Sequence, residues 1–294
     1  PATGLYELGG PALGDVSVRR VDGKLQLTRE GGTVEIVNPE SITLNLRAGE
    51  VLTGTADAFS KLRITGGGSV VLTGFSAAPA LQPVNVDLSR IAGASLTLAV
   101  PSSVTLDAQS SLGQFKLRTA SGQTLTLSAT QADRMSINGT GSVLVTGLGA
   151  GNQAVDLTGV ISTGTLIAET APGATLSAAT LLNPRFAIQS SGVGGASQTL
   201  TIAASLANGR TIRASGEVVV TGLNGTTVDL SRVQSLGSAS LTRRVVVASD
   251  NTLSSSTDLG SFAIEVAAGK TLTLSAAQAS GRSVTGQGNV AIVG

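Results

Sequence analysis

Gly68-Ser69-Val70-Val71-Leu72-Thr73-Gly74 returns three times in this chain: as Gly141-Ser142-Val143-Leu144-Val145-Thr146-Gly147, as Gly216-Glu217-Val218-Val219-Val220-Thr221-Gly222 and as Gly288-Asn289-Val290-Ala291-Ile292-Val293-Gly294. The closing glycines stand at 74, 147, 222 and 294, so the steps are 73, 75 and 72 residues. A long fixed period marks stacked supersecondary units rather than one compact enzyme core. Chains of that kind work through surface and assembly.

The repetition reaches outward on both sides. Upstream lies a strand, Glu50-Val51-Leu52-Thr53, Thr124-Leu125-Thr126-Leu127, Thr199-Leu200-Thr201-Ile202 and Thr271-Leu272-Thr273-Leu274. A small-residue segment follows, then a basic residue (Lys61, Arg134, Arg210, Arg282), then a β-branched position (Ile64, Ile137, Ile212, Val284). Downstream come Val86-Asp87-Leu88, Val155-Asp156-Leu157 and Val228-Asp229-Leu230, with Asp15 as the expected counterpart in the first unit. A strand led by Phe115, Phe186 or Phe262 completes the unit. The first unit has Ile42-Thr43-Leu44 there and is the least regular, or a cap.

The strand-like pieces are short, alternating and rich in Thr, Val and Leu, with Gly, Ser or Asn between them. The best helical candidate, Ala276 to Ser280, is too short to persist alone. Two architectures fit: four small β-sandwiches or one continuous solenoid. A sandwich of this size needs a ring-filled core or disulfides. Aromatic residues are 2% of the chain and cysteine is absent, so the solenoid is the expectation. The predicted fold is therefore an all-β parallel β-solenoid, continuous over 1–294, with repeats at about 1–74, 75–147, 148–222 and 223–294. Three coils of ~24 residues per repeat, each rising ~4.8 Å, would make a rod on the order of 55–60 Å long. Residues one repeat apart would then line up in rows.

Composition removes several functions. Histidine and cysteine are both absent, which removes the commonest general base, the commonest metal ligand and thiol chemistry. Net charge is +1, so nothing drives the chain towards nucleic acid or anionic membrane. No stretch approaches the ~18 apolar residues of a bilayer span. Opening at Pro1 without a leader and closing inside the repeated motif, the chain reads as a segment or processed form of something longer.

Four sets of residues carry possible chemistry. The basic set Lys61, Arg134, Arg210 and Arg282 could hold an acidic glycan along the rod, or simply serve solvated corners. The aspartates Asp87, Asp156 and Asp229 lack the multiple oxygens of a calcium loop and read as outward strand residues. The pairs Thr124/Thr126 and Thr271/Thr273 recur too rarely to form an extended hydroxyl lattice. Gly192-Val193-Gly194-Gly195 lacks the Lys-Ser/Thr of a phosphate loop and reads as a turn. No carboxylate pair, cofactor motif or metal motif is recognised, and no enzyme is expected.

The run Gly269-Lys270-Thr271-Leu272-Thr273-Leu274-Ser275-Ala276-Ala277-Gln278-Ala279, leading into Val284-Thr285-Gly286-Gln287-Gly288-Asn289-Val290, resembles the β-strand repeats of very large secreted bacterial surface proteins, adhesins and S-layer-like proteins among them. The resemblance implies export, display at the cell surface and a structural or adhesive role. The expectation is thus a stiff extracellular rod, sheath or filament unit. Its partners would be copies of itself joined head to tail through Val290, Ile292 and Val293, or the flanking domains of a longer chain. The alternative is an adhesin segment that grips acidic polysaccharide through the basic set.

Overall fold

The computed structural model describes residues 15–76, 82–191, 198–225, 227–237 and 240–294, and the backbone of 5–7. Gly192–Gly195 therefore lies outside the described residues. The fold is a nearly all-β parallel β-solenoid of about 12 turns. Contacts between Cα atoms divide it into two units, residues 1–144 with 159–165 and residues 145–158 with 166–294.

Alternation decides which way side chains point. In Thr124–Ser128 the two leucines are buried while the hydroxyl residues between them are half-exposed. Thr271–Ser275 repeats this pattern. Successive side chains of a strand face opposite sides, so one side tiles the core and the other meets water. The core is aliphatic, with Phe59, Phe115, Phe186 and Phe262 its largest fully buried residues.

In unit 1 an eight-stranded sheet runs through Gly32–Ile36, Lys24–Arg29, Asp15–Val21, Val51–Gly54, Ser69–Leu72, Ser95–Val100, Lys116–Thr119 and Ile137–Gly139. From Asp15–Val21 onward the pairing is parallel. Its first three strands form an antiparallel meander instead. The hairpin turns at Asp22-Gly23, both at positive φ (49° and 76°), the geometry that a two-residue turn requires. Asp15 pairs with Val51, whereas Asp87 bridges Ser111, so Asp15 is not the counterpart of the Val-Asp-Leu aspartate. The first repeat is irregular because its leading strands fold back on themselves. A three-stranded sheet, Leu5–Glu7, Thr43–Leu46 and Arg63–Gly66, completes another face.

In unit 2 a six-stranded parallel sheet contains Thr175–Leu176, Gln198–Ala203, Gly216–Thr221, Leu241–Val247, Ala263–Val266 and Val284–Gly286. A three-stranded sheet of Asn251–Thr252, Thr271–Ser275 and Asn289–Val293 lies on another face.

The coil period differs from the expectation. Residues paired in parallel are separated by as few as 18 positions (Val51 to Ser69) and as many as 38 (Leu5 to Thr43), the widest steps being those that skip the antiparallel meander. Climbing from Ser69, the steps to the paired strands are 26 (Ser69 to Ser95), 19 (Thr97 to Lys116) and 20 (Leu117 to Ile137). Three such steps fall 8 short of the 73-residue repeat. One sequence repeat is therefore three coils and about a third. Its copies step from face to face instead of lining up. In unit 2, Gly216–Thr221 and Asn289–Val293, equivalent by sequence, accordingly belong to different sheets. In unit 2 the buried Phe186 and Phe262 likewise lead strands of different sheets, so they fill the core without forming one stack.

Each repeat also contains one helical turn: α1, Ala56–Phe59; α2, Ala129–Ala132; α3, Ala204–Ala207; α4, Ala276–Ala279. These mark the corners where the candidate basic residues sit.

Candidate functional site

The corner is built from the helical turn outward. At α2, Ser128 Oγ accepts from Gln131 N–H and Gln131 Oε1 accepts from Ser128 N–H, a reciprocal cap for two otherwise free donors. The same glutamine then reaches the preceding coil, where Nε2 donates to the carbonyls of Asp107 (2.6 Å) and Ser110 (3.0 Å). Ser275 and Gln278 repeat the cap at α4, with Gln278 Nε2 donating to Ser254 O (2.7 Å). α1 and α3 have no side-chain cap bond.

Past each turn the chain enters the left-handed region for one residue. Lys61 (φ 63°) and Arg134 (φ 56°) occupy that position in unit 1, and Gly209 (63°) and Gly281 (68°) in unit 2. The next residue plugs the corner. In unit 1 the plugs are Leu62 and Met135, both buried. In unit 2 they are Arg210 and Arg282, both half-buried. Arg210 Nη1 donates to Asn183 O (2.9 Å) and Phe186 O (3.0 Å), and its Nε to Leu206 O (3.0 Å). Arg282 Nη1 donates to Gly260 O (2.8 Å) and Phe262 O (3.0 Å), and its Nε to Gln278 O (2.9 Å). Burial of the Arg210 guanidinium among these carbonyls pushes its pKa below the usual arginine value.

The four basic residues thus occupy two different structural positions. Lys61 and Arg134 are exposed αL residues, whereas Arg210 and Arg282 are inward-reaching plugs. Nor do they share a sheet within a unit. Lys61 precedes Arg63–Gly66 of the three-stranded sheet, and Arg134 precedes Ile137–Gly139 of the eight-stranded one. In unit 2 Arg210 precedes Ile212–Ala214 and Arg282 precedes Val284–Gly286, again strands of different sheets, so within neither unit do the two basic residues share a sheet.

The aspartates turn their carboxylates onto their own chain. Asp87 Oδ1 accepts from Ser89 N–H (3.0 Å) and Ser89 Oγ (2.6 Å). Asp156 with Thr158 and Asp229 with Ser231 repeat the clasp. These Ser89 and Ser231 hydrogen bonds, with nearby arginines, hold the Asp87 and Asp229 carboxyls below their ordinary pKa. Among the described residues no three His, Cys, Asp or Glu side chains cluster as metal ligands would.

Two shallow grooves flank the corners. One, of about 360 Å³, lies between Ser110–Gly113 and α2, and another of about 250 Å³ lies between Gly260–Ala263 and Ser280–Ser283. Serine hydroxyls, Gln131 and Asp133 line the first; serines and Arg282 line the second. Neither presents the paired carboxylates that acid–base glycoside chemistry uses.

Val290, Ile292 and Val293 lie on the edge strand Asn289–Val293 and are 41%, 60% and 51% exposed. Among the described residues no helix is long and apolar enough to cross a membrane.

One set of cations escaped the spacing argument. Arg63, at the start of a strand, and Arg90, in the turn before the bridging Ile91, stand side by side next to Lys61. Their signal was present in Ile64 and Ile91, whose shared inward orientation places the preceding residues outward together. No protein-family model, curated protein or solved structure matches the chain.

Proposed function

We propose that this chain is a structural unit of an extracellular assembly, a stiff stack of coils that spaces or builds a surface rod, sheath or filament. The observation that carries this reading is where the polar side chains are spent. Gln131, Gln278, Arg210 and Arg282 all donate to backbone carbonyls of the preceding coil. Ser60 Oγ accepts from Asp87 N–H (3.0 Å), and Asn208 Oδ1 from Asp229 N–H (2.8 Å), each one coil on. Residue types that would serve a reactive site elsewhere here fasten coil to coil. The resemblance of Gly269–Val290 to repeats of secreted surface proteins supports the extracellular setting. In this reading the Asn289–Val293 edge takes a parallel strand from a second copy, giving head-to-tail growth. Such a contact, in which the two surfaces differ, produces open fibres.

Negative-stain electron microscopy across a concentration series tests the proposal. Elongated particles that lengthen into filaments with concentration support both parts. Elongated particles of constant length keep the structural role and refute the self-assembly. Isometric particles refute the structural role.

A further inference from the structure

The first corner of unit 1 holds a like-charge pair that the later corners avoid. Ile64 and Ile91 bridge in parallel and are both buried; one residue earlier, Arg63 on the strand Arg63–Gly66 and Arg90 in the turn that leads into Ile91 are both exposed. Ile64 N–H donates to Arg90 O (3.1 Å), which fixes that register. Neighbouring strands run ~4.8 Å apart, so the two side chains start one strand spacing from each other. Both are exposed, as is Lys61 two residues before Arg63. Lys61 N–H donates to Asp87 O (2.7 Å), which ties this corner to the same coil that carries Arg90.

The local balance is positive. Asp87 is an acid that feels Arg90 and Lys61. Its carboxyl is held below its usual pKa first by Ser89, then by Arg90 and Lys61. Two of the three cations, Arg90 and Lys61, therefore act on this one carboxylate, and it already accepts two bonds from Ser89. Ion pairs among the described residues include Arg20–Glu40, Lys24–Glu35, Arg244–Glu217 and Arg244–Glu265, and none of these involves Lys61, Arg63 or Arg90. Like charges held side by side repel, and directly opposite in a sheet they destabilise it. Later repeats place Ser136 with Gly159 and Thr211 with Arg232 at these positions, one cation at most. The mid-sheet Arg244, by contrast, has glutamates on both sides, Glu217 and Glu265.

We propose that Lys61, Arg63 and Arg90 form a docking surface for the oxyanions of a linear acidic polysaccharide, carboxylate or sulfate. Two guanidinium forks one strand apart can each take an oxyanion by paired hydrogen bonds, and Lys61 adds a mobile point charge. Thr43, paired with Arg63 on its other side, extends the outward face with a hydroxyl. The chemistry disfavours other polyanions. Single-stranded nucleic acid needs exposed rings for stacking, yet there is no Trp and four of the five Phe are fully buried. An anionic bilayer is held by larger basic clusters, typically 4–8 residues. This surface stands independently of the structural role proposed above.

The test is affinity electrophoresis of the full chain through gels containing polygalacturonate, which offers carboxylates alone, or heparin, which adds sulfates. Wild type is compared with Arg63→Gln/Arg90→Gln and with Arg118→Gln/Arg213→Gln, which removes the same charge from exposed arginines elsewhere. The expected result is retardation of wild type and the control, with affinity reduced about tenfold or more in Arg63→Gln/Arg90→Gln, the scale of losing two charge-assisted contacts. Thermal stability of that variant should hold or rise, because the repulsion is relieved; loss of binding is then not loss of fold. Retardation by polygalacturonate assigns carboxylate recognition, and by heparin alone sulfate recognition. The proposal is overturned if neither gel retards wild type, if both double variants lose affinity equally, or if Arg63→Gln/Arg90→Gln binds as wild type. Retention by single-stranded DNA or anionic vesicles, with neither polysaccharide retained, overturns it in favour of those partners.

Discussion

The corners of the two units solve one packing problem with opposite chemistry. After the left-handed residue the chain must place a side chain against the preceding coil. Unit 1 uses an aliphatic plug, Leu62 or Met135, and unit 2 a guanidinium, Arg210 or Arg282. The aliphatic plug gains by leaving water. The guanidinium gains by satisfying carbonyls that would otherwise lie half-buried without donors. The left-handed position changes with it: a lysine or arginine stands there in unit 1, a glycine in unit 2. Only glycine adopts that conformation without steric cost. A repeat can thus conserve backbone geometry while exchanging the interactions that hold it.

The comparison breaks most sharply at the plugs. Leu62→Ala should cost about 3 kcal/mol, the usual range for emptying a filled leucine site, measured by urea denaturation followed by circular dichroism. Arg210→Ala should cost less, about 2 kcal/mol, because water can reach part of the vacated corner and solvate the carbonyls of Asn183 and Phe186. Arg210→Lys should recover less than half of that, since a compact ammonium cannot replace a planar fork bonded to Leu206, Asn183 and Phe186 at once. Full rescue by lysine would mean that charge alone, and not the fork, holds the unit 2 corner.

A smaller effect sharpens the same contrast and has opposite signs in the two units. Lys61→Gly should stabilise unit 1 by up to about 1 kcal/mol, and Gly209→Ala should destabilise unit 2 by a similar amount. Space is not the obstacle at Gly209, where an added Cβ meets nothing within 4 Å. Conformation alone sets the sign. Equal signs in melting temperature would show that the two left-handed positions are not equivalent.

The short-range features of this fold were legible and the long-range ones were not. Inward and outward faces followed from Thr-Leu-Thr-Leu because side-chain direction depends only on neighbours. The turns α2 and α4 also carried a local signature, Ser-x-x-Gln at Ser128/Gln131 and Ser275/Gln278, which the spacing argument passed over. Asp22-Gly23 between Val16-Val18 and Leu25-Leu27 was likewise a hairpin signal. The coil length had no such marker. Which strand stacks on which is fixed by pairing across 18 to 38 residues, and a sequence period need not be a whole number of coils. Aligning basic residues by that period therefore merged two adjacent positions into one row. The glycines before Arg210 and Arg282 were the cue that separates them.

The smallest predicted difference concerns acid. Asp87 in unit 1 and Asp229 in unit 2 both have carboxyls held below the ordinary value, first by the serine two residues on. A carboxyl whose folded pKa is depressed contributes stability that is present above its unfolded pKa, ~3.9, and disappears as pH falls through the folded value. The loss should therefore appear only below about pH 4, with neutral pH unaffected. Both groups are largely solvent-facing, so screening limits the contribution to a few tenths of a kcal/mol each. Asp87 has Lys61 as well as Arg90 nearby, whereas Asp229 has Arg232 alone. Asp87→Asn should accordingly flatten the acid limb of the stability curve slightly more than Asp229→Asn. A larger effect from Asp229→Asn would place the charge dependence in the serine clasp and not in the cations of the first corner.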